Sequence, residues 1–210
     1  MDNKNISQIL ESSTASKVLR SDDIPAIDLY LDQILTLVAD KTGKDSSSGG
    51  LTKTMINNYS KDGLLKPVKG KKYSKEHIVQ MMIIFYLKGM LTIGDIKRLF
   101  DGVYSDESFN GDCLISSYDR FLDIKQDEQK LFSYILKHLT EKNGLNAENT
   151  DDFLILLMSV VSCCDNLKSF ALAMLDEKYP PTEKPQKQEK EPKDKKAKKE
   201  KDTKKNTKEE

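Results

Sequence analysis

A mainly helical protein is predicted, on three observations. Apolar residues recur at three- and four-residue spacings along most of the chain, while no clean period-two alternation appears outside one short Lys/Gly-rich stretch. Gly, Pro and Ser/Thr/Asn/Asp fall between the periodic runs, where helices stop and start. The end of the chain differs in kind: from Pro180 to Glu210 the only small apolar residue is Ala197. Such a segment buries too little apolar surface to offset its ordering entropy, so it is expected to be disordered.

Taken in order, residues 1–23 are polar and Ser-rich, with Ile6, Ile9 and Leu10 offering one short amphipathic turn, and read as a flexible N-terminal arm. Ile24-Pro25 opens a helix whose apolar face includes Ile27, Leu29, Ile34 and Val38, and the string TGKDSSSGG ends it in a flexible loop. Leu51, Met55, Ile56 and Tyr59 define the next helix, which Gly63 stops. Val68 to Tyr73 suits a tight hairpin or wing. Ser74 then caps an apolar helix from Ile78 to Met90, with Ile78, Met81, Met82, Phe85, Tyr86 and Met90 on its core face. Thr92 caps a short helix, Ile93 to Phe100. Beyond a turn-rich stretch lie helices at Leu114 to Leu122, at Gln126 to Lys142 with Asn143-Gly144 as its stop, and from Asp151 to about Lys178, before Pro180-Pro181. The divisions expected are 1–23, 24–103, 104–179 and 180–210.

The net charge of zero conceals regions of opposite sign. Leu51 to Phe100 holds ten Lys or Arg against Asp62, Glu76 and Asp95, a net +7; the tail from Pro180 is +4, leaving −11 elsewhere. A basic island in an acidic body is the footprint of a polyanion-binding module, although a solvated helix face produces part of such a pattern. The tail lysines are diluted by Glu and Asp, which favours a solubilising extension over a specific anchor.

The island carries a resemblance. TMINNYSKDGLLKP, KKYSKEHIVQM and KGMLTIGDIKRLF, within Leu51 to Phe100, resemble the recognition helix, wing exit and closing helix pair of MerR-type winged helix-turn-helix heads. IPAIDLYLDQ, LTKTMINNYSKDGLL and KKYSKEHI resemble more closely the bacterial domain of unknown function 1836. These resemblances imply a MerR-like winged helix-turn-helix at 24–103 followed by a small helical bundle, and a bacterial origin. Two departures stand against the MerR pattern. An Arg and two Tyr usually end the recognition helix there, where this chain has Asn57, Asn58 and Tyr59, and a long dimerisation helix usually follows the head.

Residue chemistry points to double-stranded DNA as the expected partner. A recognition helix presents polar side chains near its N-terminus to base edges. Thr52, Lys53, Thr54, Asn57 and Asn58 meet that need: either Asn suits adenine, and Lys53 suits guanine or phosphate. Lys61, Lys66, Lys69, Lys71 and Lys72 suit phosphate contacts that position without reading sequence. Tyr59 and Tyr73 are the aromatic members of the site, and packing is the commoner role for both. A homodimer through the C-terminal helices is expected to supply affinity; a protein-interaction module on the same scaffold is the alternative.

Catalysis is not expected. No phosphate-binding Gly-rich loop is present, and no nucleophile has an adjacent base. His77 and His138 lie apart, Cys163-Cys164 reads as buried thiols, and no cofactor or metal is expected. Three cysteines make no disulfide framework, and Met1 to Arg20 lacks a signal-peptide core. The apolar run Phe153 to Cys164 is expected to be a buried or interface helix too short for a bilayer, and the setting cytoplasmic.

Overall fold

A computed structural model describes residues 3–14, 17–68 and 70–181. Eight α-helices and a two-stranded antiparallel sheet make up its regular structure, apart from one short 3-10 turn, Ser21–Asp23. The helices are α1 (Asn3–Thr14), α2 (Leu31–Thr42), α3 (Lys53–Lys61), α4 (Lys75–Leu87), α5 (Ile93–Tyr104), α6 (Gly111–Lys125), α7 (Glu128–Asn143) and α8 (Thr150–Lys178); the strands are β1 (Leu29–Tyr30) and β2 (Lys72–Tyr73). The tail from residue 182 lies outside the described residues.

Helix α4 is the centre of the core. Its sequence is apolar almost all round, which only a helix enclosed on several sides tolerates. Ile78, Val79, Met81 and Ile84 are fully buried, and α6 packs along it through Leu114, Tyr118 and Leu122. Of the core face expected for α4, Phe85 and Tyr86 are only partly buried and Met90 is 47% exposed, because the helix ends at Leu87 and the chain turns. Gln80, buried at mid-helix, donates from Nε2 to the Leu64 carbonyl (2.7 Å) and so ties α4 to the segment after α3.

Local chemistry sets the helix ends. Thr52 accepts from the Met55 amide (3.1 Å) at the start of α3, and Thr92 and Asp95 cap α5 reciprocally. At the end of α3, Gly63 takes φ +68°, while the Leu64 amide bonds back to Tyr59 (2.9 Å) and the Gly63 amide to Ser60 (3.2 Å). This left-handed stop satisfies two carbonyls and turns Leu64 into the core.

Several expectations are revised. Val68 to Tyr73 does not pair with itself as a hairpin: β2 pairs with β1, Leu29 opposite Tyr73 and Tyr30 opposite Lys72. Helix α2 accordingly starts at Leu31, with Ile24 to Tyr30 extended or turning before it. The TGKDSSSGG loop is a knit turn. Asp45 accepts from the amides and hydroxyls of Ser47 and Ser48, which holds its carboxyl down at about 2, and the Gly50 amide bonds the Asp45 carbonyl (2.7 Å). A Cβ on Gly50 would overlap the Lys44 carbonyl oxygen.

The N-terminal residues are also more engaged than an arm. Helix α1 forms and packs on α7. Leu19 is fully buried, its carbonyl accepting from the Tyr118 hydroxyl (2.7 Å), and Ser21 bonds Asp119 through both its amide and its hydroxyl. The core thus begins at Leu19 and takes in α6, so the expected boundaries at 23 and 103 do not divide it.

Beyond α6 burial thins. Helix α7 has no fully buried residue. Helix α8, expected to be a buried or interface helix, is a continuous helix of 29 residues with only Leu156 and Leu175 buried. Its C-terminal end is fixed on α5: Arg98 reaches Asp176 (2.6 Å) and the Tyr179 carbonyl (3.0 Å), and the Tyr179 ring lies against Gly102. Cys163 is half-buried and Cys164 exposed, not the enclosed thiols expected. By length and composition α8 is long and apolar enough to cross a membrane. The apolar run of Phe153 to Cys164 understated it because Asp165 and Lys168 interrupt the run without interrupting the helix.

Candidate nucleic-acid interface

Helix α3 carries the candidate site. Its apolar side, Ile56 and Tyr59, is buried in the core, which turns Lys53, Thr54, Asn57 and Asn58 outward. All four are exposed, as is Lys61 in the last turn. Thr52 is half-buried and its hydroxyl oxygen is committed to the N-cap.

Three of the sequence-designated residues are occupied elsewhere. Tyr59 is 4% exposed, and burial raises its hydroxyl pKa. Tyr73 is 8% exposed, paired with Leu29 and edge-on to His77. Lys66 is half-buried: Nζ lies 2.7 Å from Glu76 Oε1 and 3.9 Å from the centroid of the Tyr104 ring. Tyr104 donates to the same Glu76 oxygen (3.1 Å), and its pKa is raised by burial and by that carboxylate. Lys66 is thus a core-edge ion pair and not a free phosphate ligand.

The Lys/Gly-rich turn before β2 keeps exposed cations. Gly70 and Lys71 both take left-handed φ, +61° and +65°, making the turn that leads into β2. Lys71 and Lys72 are exposed, with Lys72 Nζ 5.1 Å from the Tyr30 ring centroid. Lys69 lies outside the described residues.

The structure adds two cations beside α3 that the sequence reading counted in the basic island without assigning to the site. Lys88, at the end of α4, places Nζ 3.2 Å from Met55 Sδ and 4.7 Å from the Phe85 ring centroid, and burial lowers its pKa. Lys97 on α5 donates to the Asp62 carbonyl (3.3 Å) at the end of α3. Their charge was legible, but their placement depends on how α4 and α5 pack, which periodicity does not encode.

Electrostatically the island divides. Lys66 and Arg98 are ion-paired, Arg98 with Asp95 and Asp176. Lys53, Lys61, Lys71, Lys72, Lys88 and Lys97 have no carboxylate of the described residues within 4.0 Å. Among the described residues no group of three or more His, Cys, Asp or Glu is placed to hold a metal ion. His77 bonds Ser74 through Nδ1 (2.7 Å), and His138 stacks on Tyr134.

This is a helical domain with a small long-range sheet and a solvent-facing basic helix. Residues 19–121 match the model of the family described as domain of unknown function (DUF1836). The matched span coincides with the core from Leu19 to Leu122. Neither the curated proteins nor the solved structures contain a match.

Proposed function

We propose that the protein is a DNA-binding regulator in which α3 serves as the recognition helix of a MerR-like winged helix-turn-helix. The observation that carries this reading is the outward face of α3: Lys53, Thr54, Asn57, Asn58 and Lys61 are exposed, and neither lysine is neutralised by a carboxylate of the described residues. The order strand, helix, helix, strand, helix from β1 to α4 supports it, because β1 anchors β2 and so fixes the base of a wing. In this reading Asn57 and Asn58 meet base edges while Lys53, Lys61, Lys71 and Lys72 meet phosphates. No catalytic step is part of it.

One observation favours a second reading, a protein-interaction module on the same scaffold. Residues 43–52 separate α2 from α3, whereas DNA-binding helix-turn-helix units use about three to four residues there. The two readings separate in one experiment: selection from a random double-stranded DNA pool with the full chain, followed by anisotropy titrations at several salt concentrations. DNA binding predicts an enriched motif and a logarithmic affinity falling by about 0.9 per neutralised phosphate with log salt. Lys71→Ala with Lys72→Ala then lowers the slope by about 1 to 2, and Asn57→Ala alters the motif at one position. Slopes that both variants leave unchanged, with no enriched motif, would leave the interaction module.

A further inference from the structure

The apolar side of α8 has the spacing of a coiled-coil seam, and nothing among the described residues covers it. Phe153, Leu157, Val160, Cys164, Leu167, Ala171 and Met174 follow one another at alternating intervals of four and three, the repeat that lets one helix insert knobs between the residues of another. All seven are exposed, Phe153 at 40%, Leu157 at 50%, Leu167 at 57% and Met174 at 58%. Leu154, Val161 and Phe170 flank the seam and are also exposed, while Ser162, Asp165, Asn166 and Ser169 lie on the opposite side, which is apolar only toward its start at Ile155 and Met158. Among the described residues α8 is buried only near its ends, at Leu156 and Leu175, and Tyr179 just beyond it packs on α5.

We propose that this face of α8 is a dimerisation surface whose occupant is α8 of a second copy of the chain. The available area fits. Eight large apolar side chains on this side are 39–64% exposed. At roughly 80–100 Å² each they present about 640–800 Å², against about 800 Å² per partner in a standard interface and a few hundred Å² for the largest apolar patch of an ordinary monomer. The composition from Pro180 to Glu210 suits water better than an apolar seam, since Ala197 is its only apolar residue besides proline. A bilayer is a poor occupant. Asp165 and Lys168 sit in the middle of the helix, where a span would bury them at mid-depth. The polar side, with Asp165 and Asp176, lacks the Lys/Arg enrichment of helices that lie on anionic lipid.

Cys164 is the middle residue of Thr150–Lys178, so full overlap of two α8 helices brings the two Cys164 thiols together in either orientation. The inference stands apart from the DNA reading, because its test contains no DNA. Light scattering on the full chain at tens of micromolar is expected to give twice the 23.9 kDa chain mass. Leu157→Glu with Leu167→Glu, both exposed in the single chain, is expected to weaken dimerisation by at least about 100-fold with unchanged circular dichroism. Ser162→Glu, on the opposite side, leaves the dimer intact. In a Cys113→Ser, Cys163→Ser background, a short bismaleimide links Cys164 to Cys164. A monomer at that concentration, a dimer indifferent to the Leu157/Leu167 pair, or flotation with phosphatidylcholine vesicles that the pair abolishes would each overturn the proposal, the last in favour of a membrane.

Discussion

Two buried tyrosines carry opposite consequences for the same substitution. The Tyr118 hydroxyl donates to the Leu19 carbonyl inside the core, whereas the Tyr59 hydroxyl is buried with no hydrogen-bond partner among the described residues. Removing a donor from a buried carbonyl costs about 1–3 kcal/mol, while removing an unsatisfied hydroxyl relieves a desolvation cost. Tyr118→Phe is therefore expected to destabilise by about 1–3 kcal/mol in urea denaturation, and Tyr59→Phe to be neutral or stabilising and to leave DNA affinity unchanged. A loss of DNA binding in Tyr59→Phe would restore Tyr59 to the interface. Asp95 supplies a titration test. The Thr92 hydroxyl, the Thr92 amide and the Arg98 charge hold its carboxyl below the ordinary value. A depressed folded pKa stabilises fully above the unfolded value of about 3.9 and loses that stabilisation as pH falls through the folded one. Asp95→Asn should thus flatten the acid side of the stability–pH curve below about pH 4. A curve identical to that of the parent would show that the cap contributes nothing.

At the scale of elements, what was legible in the sequence was what the sequence encodes locally. Gly63, Thr92 and Gly144 mark helix ends because cap geometry needs only a hydroxyl or a left-handed φ within one turn. The exposed face of α3 was legible for the same reason, since Ile56 and Tyr59 fix which side turns inward. The β1–β2 pairing was not, because two-residue strands show no alternation and the partner lies across α2 and α3. Nor was the loss of Lys66 from the site, which follows from Glu76 and Tyr104 converging from two other helices. The docking of α8 on α5 is likewise a product of packing, and it rests on few groups. Arg98 is 17% exposed and binds Asp176 and the Tyr179 carbonyl at once. Arg98→Ala is expected to release the last turns of α8, read as faster amide exchange at 172–179 with α4 unaffected. Unchanged exchange there would assign the docking to the Tyr179 ring against Gly102.

For the whole molecule, the distribution of burial implies two levels of stability in one chain. The cluster from Leu19 to Leu122 contains nearly all the fully buried apolar side chains and coincides with the family segment, whereas α7 has none and α8 has two. Free energies of local opening follow buried apolar contact, so amides of α4 and α6 should exchange only by global unfolding and those of α7 by smaller openings. Met82→Ala, in the centre of the core at 1% exposure, should cost about 2–5 kcal/mol and speed the exchange of α4 and α6 together. Leu136→Ala on α7 should speed exchange in α1 and α7 ahead of α4 and α6, because Leu136 faces Ile6 and Leu10 where α1 packs on α7. Of the net −11 outside 51–100 and the tail, residues 123–179 carry −4, and of the carboxylates there only Asp176 reaches a basic residue of the island, Arg98, among the described residues. Loosening α7 should therefore leave the α3 face as it is. On the proposed DNA-binding reading, the Leu136→Ala protein is expected to keep the parent's affinity and salt slope per chain, and a changed slope would show that the carboxylates of α7 and α8 screen the basic helix after all.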